Sequence, residues 1–366
     1  RLGTTIGGTS PDAVDESELE RFAATLLRPA DQRLVLVHPR RAPITGTRAW
    51  LDARKVAAHH HVALDDPADY ARLVRFINGT ARGLVACGGA AFCAAHIGIY
   101  RALAEAGVEI DMLGGTSGGA AMVAGFAAGF SPDAMSAAVE DIFVTNKAMR
   151  RYTWPRYSLL DHTHFDRMLA RYYGRIDIED LWVPFFAVST NLSTHGLHCH
   201  SRGDLFEAVR ASASIPALLP PFYTKDGQML VDGCLLDNVP VRVMHELKRG
   251  PNIVVAFEVP ALERFPVDYD RLPGRTDLLK RAVMPFARPP LPDAPGVASV
   301  LLRSLMANRQ DFERHLGPND HLLVPPLPAD MGLLDWHRHA DLVAATYEWT
   351  AGAIARAKAD GHRALG

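Results

Sequence analysis

Gly115-Thr116-Ser117-Gly118-Gly119 spells G-x-S-x-G, between an apolar stretch from Ile110 to Gly114 and an Ala/Gly-rich stretch that opens at Ser117. A serine on a sharp strand-to-helix turn is poised as a nucleophile. The glycines let the backbone turn and let a carbonyl approach the hydroxyl, and the N–H groups at the helix start, Gly118 among them, face developing negative charge. The same corner also reads as a packing turn, since glycine-rich strand-to-helix corners are common in α/β proteins. Cys87-Gly88-Gly89-Ala90 offers two consecutive backbone N–H groups as an anion nest. It lacks both G-x-G-x-x-G and a Lys-Ser/Thr ending, which argues against a nucleotide phosphate.

A nucleophilic serine needs a base. Val231-Asp232-Gly233 ends an apolar segment with an acid beside a glycine, which suits a strand-end base as well as it suits an ordinary turn. Sixteen histidines, with His245, His315, His321, His337 and His339 downstream of Asp232, keep a Ser, Asp, His order open. His195, His198, Cys199 and His200 invite a metal reading, but strand alternation sends Cys199 to the face opposite His198 and His200. His59-His60-His61 matches no ligand spacing, so no metal and no organic cofactor are expected.

These residues need a frame. Apolar runs at Leu34 to Val37 and His61 to Leu64 alternate with helical stretches at Thr47 to Lys55 and Pro67 to Ile77. From Gly83 the alternation resumes: strand Leu84 to Ala86, helix Cys93 to Ala106, strand Ile110 to Gly114, helix from Ser117. Such a βαβα succession predicts an α/β fold with parallel strands. Ser131-Pro132 reads as a helix cap, and Thr163 with Asp166 and Asp204 with Glu207 as capping boxes. Further strands are expected at Phe185 to Thr190, Leu197 to His200, Ile253 to Phe257 and His321 to Val324, and helices from Val297 to His315 and Ala340 to Ala357. Seven prolines between Pro266 and Pro295 mark a long excursion.

Composition narrows the class. The chain has 366 residues, 48% hydrophobic and 22% charged, enough for a large buried core and incompatible with disorder. With 39 basic and 41 acidic side chains, no global field draws it to nucleic acid, and none is expected as a partner. Four cysteines without C-x-x-C suit a reducing, cytoplasmic compartment. The longest apolar stretch, Ala120 to Phe130, is far short of the roughly 20 residues that cross a bilayer. The start at Arg1, without the marks of a signal peptide, reads as the excised part of a longer protein.

Taken in order, Gly83 to Gly98, Gly114 to Gly119, Asp204 to Pro221 and Lys225 to Pro240 resemble the patatin-like phospholipases. More narrowly they resemble the catalytic domain of the neuropathy target esterase group of lysophospholipases. The resemblance implies a three-layer α/β/α fold with a mostly parallel central sheet and a Ser-Asp dyad. In it Ser117 is the nucleophile and Asp232 its side-chain partner and general base, without histidine. Gly88, Gly89 and Gly118 would form the oxyanion hole. An acyl-Ser117 intermediate and a lysophospholipid or related lipid ester as substrate follow from the same likeness. So do an N-terminal α/β extension over residues 1–80, a catalytic domain over 81–366 with its excursion at about 264–296 and C-terminal helices over 297–366, and a regulatory domain upstream.

Two departures from the family pattern stand out. The family's third loop glycine, its cation and its closing glycine are replaced by Ala90, Phe92 and Cys93, and Asp-Gly-Gly has become Asp232-Gly233-Cys234. Cys87, Ala90, Phe92, Cys93 and Cys234 are therefore the residues expected to line an altered pocket, one favouring neutral esters. Peripheral contact with a membrane is expected at 278–288, where Leu278, Leu279, Met284 and Phe286 mix with Lys280, Arg281 and Arg288, or at the apolar 215–222 segment. The alternatives are an acyl-lipid-binding member without turnover and an acyltransferase.

Overall fold

A computed structural model describes residues 3–5, 22, 25–29, 32–258, 265–283, 292, 294–297, 300, 304 and 312–359 of the chain. Two compact units divide it, one of residues 1–258 and 308–366, the other of 259–307.

The first unit opens with a small parallel sheet of β1 (Gly3–Thr5), β2 (Arg33–His38) and β3 (Ala58–Ala63). Helix α1 (Thr47–Asp52) links β2 to β3, and α2 (Pro67–Asn78) follows β3. Asp66 caps α2 by accepting from Ala68 N at 3.0 Å, with proline at the first helical position, where its missing N–H is harmless.

The larger sheet begins at β4 (Gly83–Ala86), then α3 (Ala95–Glu105), β5 (Met112–Thr116) and α4 (Ser117–Ala127). Helix α5 (Pro132–Val139), capped by Ser131, runs on into a π-helical turn over Glu140–Thr145. Next come α6 (His162–Tyr173), β6 (Phe185–Asn191), β7 (Gly196–His200) and α7 (Leu205–Ser212). Then follow β8 (Phe222–Tyr223), β9 (Met229–Asp232), α8 (Val241–Leu247) and β10 (Asn252–Val255). After the second unit, β11 (His321–Leu323) and α10 (His339–Ala359) close the chain. The sheet order is β11-β10-β4-β5-β6-β9-β8, with β7 also on β6.

The core is parallel as expected, from β11 to β6, but β7, β9 and β8 pair antiparallel. Connection length accounts for two of these pairings, since β6 and β7, and likewise β8 and β9, are joined by short turns, which only antiparallel strands permit. Helix α4 is apolar all round and lies in the core, as such a helix must. Gly98 lets α10 approach α3, since a Cβ there would fall 2.2 Å from Val343 O.

Several boundaries differ from the sequence reading. Asp161, not Thr163, caps α6, accepting from Thr163 N at 3.0 Å; a carboxylate two residues earlier is the better acceptor for a free helical N–H. The strand expected over Ile110 to Gly114 begins at Met112 and runs to Thr116, up to the serine itself. Of the expected Val297 to His315 helix, a short 3-10 turn (Phe312–His315) is seen and most of the span lies outside the described residues. The second unit holds α9 (Arg275–Val283), where Leu278 and Leu279 are exposed. The side chains of Arg281 and Val283, and residues 284–288 with Met284, Phe286 and Arg288, lie outside the described residues.

Candidate active site

Strand β5 runs into α4 with no intervening loop, so Ser117 must make the whole turn, and it does so at φ 53°. A left-handed serine is strained and persists only where its surroundings hold it. Here its N–H donates to Ser212 Oγ at 2.8 Å, and Ser212 Oγ–H donates in turn to Val188 O at 2.6 Å. The turn also requires glycine next door: a Cβ on Gly119 would lie 2.2 Å from Cys87 O, and one on Gly115 2.7 Å from Ala86 O.

Asp232 ends β9, which lies beside β6 antiparallel, and this brings an acid from far along the chain to the serine. Ser117 Oγ–H donates to Asp232 Oδ2 at 2.6 Å, and Cys234 N–H to Oδ1 at 3.0 Å. Gly233 fits where a Cβ would fall 2.5 Å from Val188 O. The carboxyl is buried with no cation against it among the described residues, and burial pushes its pKa up to about 6 against the pull of the Cys234 N–H and the Ser117 hydroxyl. Among the described residues no histidine is a hydrogen-bond partner of Ser117 or Asp232. His245 is held by Asp320 at 2.8 Å, His339 Nδ1 lies 3.0 Å from Trp336 O, and His96 lies 2.9 Å from Cys87 O.

The glycine loop reaches the same corner. A Cβ on Gly88 would lie 3.1 Å from Ser117 Cβ. Gly88 N–H donates to Asn238 O at 3.3 Å, and the backbone N–H of Gly89 opposes the rise of the Cys93 thiol pKa. That sulfur also packs on the serine turn, 2.8 Å from where a Gly118 Cβ would stand, and donates to Cys87 O at 3.5 Å. Cys93 and Cys234 are buried, and burial together with the Asp232 charge holds both thiols well above their ordinary pKa.

Ser117, Gly118 and Ala90 open onto an apolar cavity of about 40 Å³ whose walls include Met122, Leu169, Val209 and Ile215. Phe143, from the π-helical turn, stacks on Trp336 at 3.7 Å to form another wall. Of the expected pocket residues, Ala90 alone lines this cavity. Cys87, Cys93 and Cys234 do not, being buried in the packing outside it, and neither does Phe92, which stays partly exposed. In the 215–222 segment Ile215, Leu218 and Leu219 are buried, Ile215 and Leu219 lining the cavity, while Ala217 is exposed and Phe222 half-buried.

Sequence reasoning passed over Ser212, Phe143 and Trp336. The Ala211-Ser212-Ala213-Ser214 run at the end of α7 carries the one usable signal, small hydroxyls on an otherwise apolar helix end. Nothing in the order of residues brings Phe143 to Trp336. His198 and His200 share a face, rings 4.5 Å apart, with Cys199 exposed, and His200 Nε2 lies 2.8 Å from Ser189 Oγ. Among the described residues no His, Cys, Asp or Glu group has the arrangement of a metal site, and no helix is long and apolar enough to cross a membrane.

Comparison with known proteins adds family context. The profile of the patatin-like phospholipases matches residues 84–245. The neuropathy target esterase sws of Drosophila melanogaster is 32% identical over 325 residues, covering 78% of this chain and 22% of that protein. Patatin-like phospholipase domain-containing protein 7 of Mus musculus is 32% identical over 274 residues, covering 66% of this chain and 20% of that one. An uncharacterised NTE family protein of Mycobacterium tuberculosis is 40% identical over 196 residues, covering 54% of this chain and 33% of its own length. The chain spans about a fifth to a third of the length of these relatives.

Proposed function

The chain belongs to the patatin-like phospholipase family, and from that premise we propose that it is a serine acyl hydrolase of lipid carboxylic esters, with a lysophospholipid or another monoacyl lipid as substrate. The observation that carries this reading is the 2.6 Å bond from Ser117 Oγ to a buried Asp232. A free aspartate is too weak a base near neutrality, but one raised to about 6 is matched to the task.

In the proposed reaction Asp232 takes the Ser117 proton as Oγ attacks the ester carbonyl. The tetrahedral oxygen is met by the Gly118 N–H at the head of α4 and by the Gly89 N–H. The Gly88 N–H stays with Asn238. Asp232 returns the proton to the leaving alcohol, and water then resolves acyl-Ser117 by the same route. The acyl chain enters the apolar cavity beside Ser117, which must widen to hold it, and Phe143 and Trp336 form a wall that can move. The site asks for no cofactor. A cytoplasmic place at the surface of a membrane, with regulation by sequence upstream in a longer protein, completes the reading.

A second reading has one observation in its favour. The loop N–H of Gly88 is turned to a partner within the protein, Asn238 O, as it would be in a member that binds acyl lipid without turning it over. Hydrolysis of lysophosphatidylcholine and monoacylglycerol by the parent and by Ser117→Ala separates the two. The hydrolase reading expects fatty acid from the parent alone; lipid binding without fatty acid release would establish the second.

A further inference from the structure

Beyond the site, one surface segment presents large rings to water. Tyr152, Trp154 and Tyr157 are 80%, 86% and 74% exposed, three large rings within six residues. Arg150, Arg151 and Arg156 stand among them, all exposed and with no carboxylate partner among the described residues, Arg156 lying over the Tyr157 ring at 5.3 Å. The segment is nonetheless built. Tyr152 bridges Leu160, Thr153 N donates to Leu159 O at 3.0 Å, and Asp161 N to Arg151 O at 2.7 Å, closing a hairpin. It is tied to the cavity at both ends. Met149, just before it, lines the cavity, and Leu159 N and Leu160 N donate to Ala217 O and Leu218 O at 2.8 and 3.0 Å, between the cavity residues Ile215 and Leu219.

An aromatic ring held in water forfeits the burial that would favour it, and a cluster of such rings marks an interaction surface. Trp and Tyr with Arg are the side chains that settle at the junction of lipid head groups and acyl chains, where a ring is half buried and a cation meets phosphate. We propose that the Arg150–Tyr157 hairpin is a lipid-surface contact, which seats the cavity wall against an anionic bilayer so that a monoacyl lipid passes from the membrane to Ser117. The occupant is an anionic lipid surface because the unpaired charges on the hairpin are all positive. This use of the contact rests on the hydrolase reading, but the contact itself does not require turnover.

Flotation with vesicles of phosphatidylcholine, alone and mixed with phosphatidylserine, tests it on the full chain. The parent should float with the mixed vesicles and far less with the neutral ones. Each cation near an anionic surface strengthens binding about fivefold, so Arg150→Ser, Arg151→Ser and Arg156→Ser together should weaken it about a hundredfold. Trp154→Ser with Tyr157→Ser should weaken it at least about tenfold. Quenching of tryptophan by brominated lipid should be present in the parent and greatly reduced in Trp154→Phe. In every variant, labelling of Ser117 by a fluorophosphonate and hydrolysis of a soluble short ester should match the parent, which shows that the fold is intact. A parent that ignores anionic vesicles, or variants that bind as the parent does, would overturn the proposal. Vesicle binding lost in the variants of a protein that releases no fatty acid would sustain the hairpin and sink the hydrolase reading.

Discussion

Two aspartates, each shut away from water, meet opposite fates in this chain. Asp69, on α2 against the small N-terminal sheet, accepts from Arg41 at 2.6 Å, from Arg72 at 2.5 Å and from Ala63 N at 3.0 Å. Burial alone would raise its pKa, but the bonds from Arg41 and Ala63 N and the charges of Arg72 and Arg41 hold it below the usual carboxylate range. Asp232 is equally buried, yet its partners are a hydroxyl and an N–H, and it is pushed up to about 6. A carboxylate that serves the fold is neutralised by cations, whereas one left without them is basic enough to take a proton.

The largest expected effects set the two apart. Asp232→Asn should lower kcat/KM on a lipid ester by about 10⁴ or more, with Ser117→Ala no worse and the double variant little worse than either, because nucleophile and base act as a unit. Asp69→Asn should leave the activity of the folded enzyme within about twofold while removing about 3 kcal/mol of stability, since it strands the buried Arg72. Urea unfolding alongside ester kinetics measures both. An Asp69→Asn enzyme that stays stable and loses turnover would erase the contrast.

The pH dependences should also run in opposite directions. A pKa lowered by folding contributes stability above the unfolded value near 3.9, lost as pH falls through the folded value, which is the case of Asp69. A raised pKa contributes stability below that value, lost as pH rises through about 6, the case of Asp232. Asp232→Asn should therefore be more stable than the parent by about 1–3 kcal/mol at pH 8 and lose that advantage by about pH 4. Over the same range parent activity should climb about tenfold per unit towards a plateau above pH 6. Asp237, also raised to about 6 by burial, with the Val239 N–H opposing it and Arg242, His315 and Glu246 nearby, is the group to exclude. The climb should survive Asp237→Asn.

Smaller effects sharpen the picture around the serine. Cys93→Gly removes the thiol on which the Gly89 N–H acts, and should raise kcat by about tenfold, well under the full worth of one oxyanion donor. Trp336→Ala, by removing a cavity wall, should move the optimum among p-nitrophenyl esters to longer chains with only a few-fold change on the acetate. An unchanged chain-length profile would place the acyl group outside this cavity.

Much of this corner is legible in the sequence, for reasons that can be named. G-x-S-x-G between an apolar run and an Ala/Gly-rich run points to the elbow because both its neighbours and its glycines are local requirements. Asp232 is less legible, since β9 is four residues long and its place beside β6 depends on antiparallel pairing that a βαβα pattern does not foretell. The identity of the base comes from the family resemblance rather than from spacing. Cys93 shows the limit in another way: its residue type reveals the change from glycine, but only the packing reveals that its sulfur lies behind the serine, out of the cavity. The hairpin at Arg150 to Tyr157 has no part in the sequence reading, because the exposure of its rings is a property of the fold.

The central claim is that Ser117 carries the acyl group. Rapid-quench mass spectrometry with a p-nitrophenyl ester measures this directly, by the mass of the peptide that holds residue 117 in parent, Ser117→Ala and Asp232→Asn proteins. The account predicts one acyl adduct on Ser117 in the parent, formed faster than it is released, and none in either variant. Turnover with the acyl group on another residue, or with no adduct on Ser117 under conditions that trap one elsewhere, would contradict it.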